Sequence, residues 1–98
     1  MTSVPNMIVL DEGDNVGIAL RDIGAGEDAV AGDGRRLAAR ETIPQGHKLA
    51  LRPIFEGEHV LRFGVPVAIA KASIALGRLV HIHNVRSQYL DNDDDHFE

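Results

Sequence analysis

Four short turn signatures punctuate the chain and limit what it can fold into. Each is an isoleucine followed three residues later by a glycine, and the isoleucines are Ile23, Ile43, Ile54 and Ile74. The glycine supplies the positive φ that other residues adopt only at a cost, and the isoleucine closes the apolar end of the turn. The first and last intervals between successive isoleucines are equal, and the middle interval is shorter. This spacing predicts two related halves built from paired short strands, because a long helix does not accommodate turns this frequent.

Short runs with strand character lie between these turns. The predicted strands cover residues 15–20, 47–51, 59–63, 65–70 and 79–85. Apolar and polar residues alternate in 59–63 and in 80–83, as the two-residue period of a strand requires. Residues 33–40, with several Arg and Ala, are predicted to form at most a short helical turn. The sequence therefore predicts a mainly β fold, a compact β-barrel or β-clip of short strands joined by Gly-rich turns.

The length of the chain allows one domain. Its 98 residues include three Phe, one Tyr and no Trp, so the core must consist largely of Val, Ile, Leu and Ala. We expect an N-terminal extension at 1–7, the β domain at 8–88 and an acidic, disordered tail at 89–98. There is no cysteine and hence no disulfide to stabilise so small a core. Association with a partner is a plausible further source of stability, and the lack of cysteine fits a reducing cytoplasm.

The negative charge is confined to the end of the chain. Of the fifteen acidic residues, five lie in 91–98 with no Lys or Arg among them, which leaves ten acidic against ten basic residues in the body. A neutral body argues against a nucleic-acid partner, because phosphate binding needs a basic surface. No apolar run approaches the roughly 20 residues of a membrane span, and the N-terminus lacks a signal-peptide pattern. We predict a soluble, cytoplasmic protein.

The histidines near the end of the body are the main candidates for chemistry. In the segment 81–84 (HIHN), a strand would project His81 and His83 from the same face. Two imidazoles in this arrangement can bind a metal or an anionic oxygen, and His47 is the best candidate for a third metal ligand. Two other interpretations stay open: the histidines hydrogen-bond to backbone or water, or they contact a substrate or another subunit.

Two basic residues are weaker candidates. Strand alternation places Lys48 on the face opposite to its neighbour His47, and a solvated lysine is the simplest expectation. If Lys48 instead faces a cleft, its ammonium can bind a carboxylate. Arg21 is expected to form a surface pair with Asp22, and the acidic residues of 11–14 are explained by turn formation. No catalytic nucleophile with a visible base partner and no phosphate-binding loop is present, so the sequence shows no independent active site.

Four segments taken in order resemble the SAF domain of altronate and galactarate dehydratases. They are 14–23 (DNVGIALRDI), 43–48 (IPQGHK), 64–67 (GVPV) and 81–85 (HIHNV), and the similarity extends over about residues 8–85. The resemblance implies a β-clip fold. It also implies a hydro-lyase system that removes water from a hydroxylated sugar acid to give a 2-keto-3-deoxy acid, usually with a divalent metal such as iron.

In fused members of that family a much larger catalytic region follows the SAF domain. This chain ends after its acidic residues, so we expect a separate large subunit to hold the metal and the base, while this domain covers the active site. The resemblance suggests six residues that face the substrate or the partner: His47, Lys48, His81, His83, Asn84 and Arg21. In this interpretation Asn84 fixes a substrate hydroxyl or a loop, and Lys48 or Arg21 contacts the carboxylate.

Three alternatives to a dehydratase subunit with a single partner stay open. Sulfolactate sulfo-lyase, which eliminates sulfite instead of water, has a similar small subunit. A non-catalytic carbohydrate-binding or scaffold module is the alternative from a different functional class, because a fold alone does not fix a function. Self-association is also possible, since a small β domain has exposed edge strands.

Overall fold

The computed structural model describes residues 4–81 and 83–87, and the predicted acidic tail lies outside them. Within this part the chain is built from short strands, which confirms the mainly β prediction. The strands are β1 (Met7–Ile8), β2 (Val16–Ala19), β3 (Asp28–Val30), β4 (Arg36–Ala38), β5 (Lys48–Ala50), β6 (His59–Arg62), β7 (Val65–Ala70), β8 (Leu79–Val80) and β9 (Val85–Ser87). The described part contains no helix long and apolar enough to cross a membrane.

The strands form three small antiparallel sheets. One has the order β1-β2-β5-β8, the second is the hairpin β3-β4, and the third has the order β6-β7-β9. Strands β2 and β5 are central in the four-stranded sheet, where Ile18 pairs with Lys48 and Gly17 with Leu49. Leu49 belongs to one apolar cluster and Ala50 to another, so opposite faces of β5 contribute to two separate cores.

The repeated turns hold the fold together as predicted. Ile23 and Ile43 bond to each other through both backbone N–H groups, and Ile54 and Ile74 do the same. All four isoleucine side chains are buried. The glycine that ends each turn has φ between 82° and 89°, a range that a side chain makes unfavourable. The turn chemistry read from the sequence is therefore confirmed.

The two halves repeat each other in sequence and in hydrogen bonding. The pattern ALRxIxxGE occurs at 19–27 and again at 50–58. Gly26 and Gly57 occupy the same place in this pattern. The amide of Gly26 donates to Ala39 O, and the amide of Gly57 donates to Ala70 O, the corresponding acceptor of the second half. The same hydrogen bonds thus organise both halves, which confirms the prediction of two related units.

Two buried asparagines attach these halves to the segment that precedes β2. Asn6 accepts from the amide of Val30 and donates to Asp28 O, at 2.7 and 2.9 Å. Asn15 makes the corresponding pair of bonds to the backbone of β6, at 2.8 and 2.9 Å. Each side chain replaces the ladder bonds that a neighbouring strand would supply. The packed body includes Asn6 and Met7, which precede the start expected from the sequence.

Two predictions of secondary structure were wrong. Residues 33–40 do not form a helical turn, because β4 pairs with β3 there, with Leu37 opposite Ala29. Residues 79–85 are not one strand, because β8 ends at Val80 and β9 begins at Val85 after a turn. In both places tertiary pairing and a local turn outweighed the pattern of residue types.

Candidate functional site

The start of strand β5 brings His47 next to His81. Lys48 and Leu49 pair with Val80 and Leu79 of β8, so His47 and His81 lie opposite each other just beyond the paired residues. Their ring centroids are 4.7 Å apart and the ring planes are inclined by 57°. Both histidines are half-buried, and His47 Nδ1 lies 3.4 Å from Gln45 O. The pair offers ring nitrogens at one end of the four-stranded sheet, where they can hydrogen-bond to oxygen atoms of a bound molecule.

His83 does not join this pair. It lies in the turn between β8 and β9 and is exposed, so the shared strand face expected for His81 and His83 is wrong. No group of three His, Asp or Glu side chains suited to a metal occurs among residues 4–81 and 83–87. The described residues of this chain therefore do not by themselves fit the metal site suggested for His47, His81 and His83.

Asn84 holds the loop that carries His81. Its Oδ1 accepts from the amide of His81 at 2.9 Å, and its Nδ2 donates to Leu79 O at 2.7 Å. The backbone amide of Asn84 also donates to His81 O. With bonds at both ends of its side-chain amide, Asn84 positions the loop that carries His81.

Lys48 is half-buried rather than solvated, which corrects the simplest expectation. Its strand neighbours across the sheet are Ile18 and Val80, so an apolar surface surrounds its stem. Burial lowers the pKa of Lys48 below its ordinary value, and the positive charge of Arg62 lowers this pKa further. The two cations are therefore close enough to interact electrostatically.

Arg62 is a candidate that the sequence did not reveal. It ends strand β6, whose backbone is attached by Asn15 to the start of β2, and this attachment brings β6 against the four-stranded sheet. Within the described residues neither Lys48 nor Arg62 forms an ion pair with a carboxylate. Like charges that interact are unfavourable unless an anion neutralises them, so half-buried Lys48 and exposed Arg62 form a candidate anion site.

Arg21 is engaged elsewhere. Its guanidinium contacts Glu27 Oε2 at 2.7 Å and Asp22 O at 2.9 Å, and the residue is exposed. The hydrogen bond from Arg21 lowers the pKa of Glu27, together with a bond from the amide of Gly24. This is a surface ion pair, formed with Glu27 where the sequence suggested Asp22, and it lies in the first Ile-x-x-Gly turn rather than at the start of β5.

Comparison with known proteins gives one family over most of the chain. Residues 5–88 match the model of the altronate/galactarate dehydratase SAF domain. The altronate dehydratase of Escherichia coli (strain K12) is 40% identical over 80 residues, which are 82% of this chain and 16% of that protein. The altronate dehydratase of Bacillus subtilis (strain 168) is 35% identical over 86 residues, or 88% of this chain and 17% of that protein.

A second kind of relative is closer to this chain in length. The (2R)-sulfolactate sulfo-lyase subunit alpha of Chromohalobacter salexigens is 38% identical over 53 residues, which are 54% of this chain and 56% of that subunit. By contrast, the chain spans about a sixth of the length of the two altronate dehydratases. The similarity therefore concerns one domain of the longer proteins.

Proposed function

Because the chain belongs to the altronate/galactarate dehydratase SAF-domain family, we propose that it is the small accessory part of a sugar-acid lyase. A larger polypeptide carries most of the active site, and this domain covers the bound acid. The carrying observation is the start of β5, where His47 lies against His81 and the next residue, Lys48, is close enough to Arg62 for the guanidinium to lower its pKa. Such a combination suits a ligand with one carboxylate and several hydroxyl groups.

In this proposal Lys48 and Arg62 bind the carboxylate. Removal of the proton next to a carboxylate moves negative charge onto its oxygens, and two cations already in place stabilise that charge as it develops. The guanidinium of Arg62 offers a planar pair of donors, whereas the ammonium of Lys48 acts as a point charge. Half-burial of Lys48 strengthens its interaction by excluding water, whereas Arg62 is exposed.

The remaining groups of the reaction are assigned to the larger polypeptide. There a base takes the proton, the C–H electron pair forms the new double bond, and the hydroxyl group on the next carbon leaves and is protonated to water. The divalent metal implied by family membership finds no ligand set among the described residues of this chain, so we assign it to the same polypeptide. This division of roles makes the isolated chain inactive.

A second candidate is supported by the relatives named sulfolactate sulfo-lyase subunit alpha. In that case the same two cations hold the carboxylate of a sulfonated acid, and sulfite leaves in place of water. Turnover of sulfolactate but not altronate or galactarate would select this candidate. If the chain binds a sugar acid but no complex with a larger polypeptide turns that acid over, the chain would instead be a carbohydrate-binding module.

The histidine pair gives a test of whether this end of the sheet faces the substrate. In the complex with the larger polypeptide, we expect His47→Ala with His81→Ala to lower kcat/KM roughly tenfold, since two neutral hydrogen bonds of ~0.7 kcal/mol each are lost. Assembly should be retained. The matched control is His83→Ala, which removes an exposed imidazole from the adjacent turn and should leave kcat/KM unchanged. An equal loss in the control, or none in the double variant, would remove the histidine pair from the site.

A further inference from the structure

The hairpin between β6 and β7 ends in a turn whose first residue is unexpected. Arg62 pairs with Val65, so Phe63 and Gly64 form a two-residue loop. Both have positive φ, 59° and 73°. Such loops usually contain Asn, Asp or Gly at the first position, because a bulky side chain is strained there. Within the described residues Phe63 is the single non-glycine residue with positive φ.

The side chain of Phe63 does not contribute to the core either. It is 68% exposed, and Val65 beside it is 42% exposed. An aromatic ring in water at a strained position serves neither the turn nor the packing. Residues that violate local rules without a gain to the fold are often functional.

A buried carboxylate holds this strained tip in place. Asp14 is 3% exposed, and its oxygens accept from the amides of Phe63 and Gly64 at 2.7 and 2.8 Å. Asn15, the next residue, fixes strand β6 through its two backbone bonds. The orientation of the tip is therefore set by groups from a distant part of the sequence. A preorganised backbone loses little entropy when the tip binds.

We infer that Phe63 is an aromatic anchor that inserts into an apolar pocket of the larger lyase polypeptide. The inference rests on the proposed function and names the contact surface. Aromatic side chains held rigidly at the centre of an interface contribute much of the binding energy. About five sixths of each altronate dehydratase lies outside the region matched by this chain. In this proposal the larger polypeptide corresponds to that region and carries the pocket for Phe63. Arg62 precedes the anchor, so docking at the tip closes the larger polypeptide over Lys48 and Arg62.

Phe63→Asn tests the anchor, because it should improve folding and weaken binding at once. Asn suits the first position of this turn and keeps the backbone amide that donates to Asp14. The melting temperature of the full chain should rise by ~4 °C, as expected for relief of backbone strain in a domain of this size. The Kd for a purified dehydratase-like larger polypeptide, measured by calorimetry, should increase roughly 30-fold or more.

Phe55→Asn is the matched control. Phe55 is also a largely exposed phenylalanine, at 59%, but it lies in the third Ile-x-x-Gly turn. The Phe55→Asn substitution should change the Kd less than about threefold, as is typical of surface residues outside an interface.

Three results would overturn the anchor. The Kd for Phe63→Asn could be unchanged, or Phe55→Asn could lose as much affinity. Sedimentation could also show that Phe63→Asn abolishes self-association of the chain without weakening its binding to the larger polypeptide. A lower melting temperature for Phe63→Asn would show that the ring stabilises the fold, and would also contradict the inference. The wild-type complex separates the two proposals. If the wild-type chain binds and Phe63→Asn binds equally well, the anchor fails while the accessory role stands; if the wild-type chain does not bind, both fail.

Discussion

Replacing Gly77 with Ala is expected to destabilise the domain by about 3 kcal/mol or more, while the same change at Gly46 costs about 1 kcal/mol. The two glycines occupy corresponding turns of the two halves. Their φ values are 82° and 84°, and each amide donates to an alanine carbonyl, Ala50 O for Gly77 and Ala19 O for Gly46. The cost of a side chain at positive φ is therefore common to both.

The difference comes from space. A Cβ at Gly46 would meet no atom within 4 Å, whereas a Cβ at Gly77 would lie 2.5 Å from Ala38 O and 2.9 Å from Arg40 Cγ. This close approach also brings the carbonyl of Gly77 to the amide of Arg40 at 2.9 Å, which joins the two halves. Urea denaturation of both variants measures the difference directly. Losses that agree within about 0.5 kcal/mol would contradict the close packing of the halves at Gly77.

Lys48→Met is expected to lower kcat/KM of the complex roughly 10- to 100-fold, the value of one charge-assisted hydrogen bond to a carboxylate. Met keeps the length and apolar stem of the side chain, so packing against Ile18 and Val80 is preserved. Arg21→Met is the matched control, because Arg21 is a cation already paired with Glu27 at the surface. The control should retain kcat/KM within about twofold, as is usual for a change confined to a surface ion pair.

The pH dependence of the wild-type complex gives a second readout for Lys48. Its pKa lies below the ordinary value of 10.5, chiefly because of burial and further because of Arg62. Carboxylate binding needs the charged form, so affinity is complete below the pKa of Lys48 and is lost as pH rises through it. The fall in kcat/KM should therefore begin at a lower pH than for an exposed lysine, and Lys48→Met should lack it. A variant with normal kcat/KM would remove Lys48 from the anion site.

The parts of the fold that local rules determine could be predicted from the sequence. The four turns follow from an isoleucine and a glycine at fixed spacing, and β7 (Val65–Ala70) has the predicted bounds. Predictions failed where a distant segment or a local side-chain bond decided the outcome. β4 is a strand because β3 pairs with it, and His83 and Asn84 lie in a turn because Asn84 bonds back to His81 and Leu79.

The candidate site divides in the same way. His47 and His81 could be proposed from their residue type and from the strands on which they were expected, and the structure brings them together. Arg62 and Asp14 could not, because their roles depend on Asn15 attaching β6 to the start of β2 from a distant part of the sequence. The positive φ of Phe63 could not be predicted either, because a phenylalanine does not indicate the turn in which it lies.

The central claim is that this chain acts as an accessory part of a larger lyase. The most direct measurement is turnover by the purified chain, by the larger dehydratase-like polypeptide, and by the two copurified together, with altronate, galactarate and sulfolactate as substrates. We predict that the copurified pair eliminates water or sulfite from one of these acids and that the chain alone has no activity. Turnover by the chain alone, or full turnover by the larger polypeptide without it, would contradict this account.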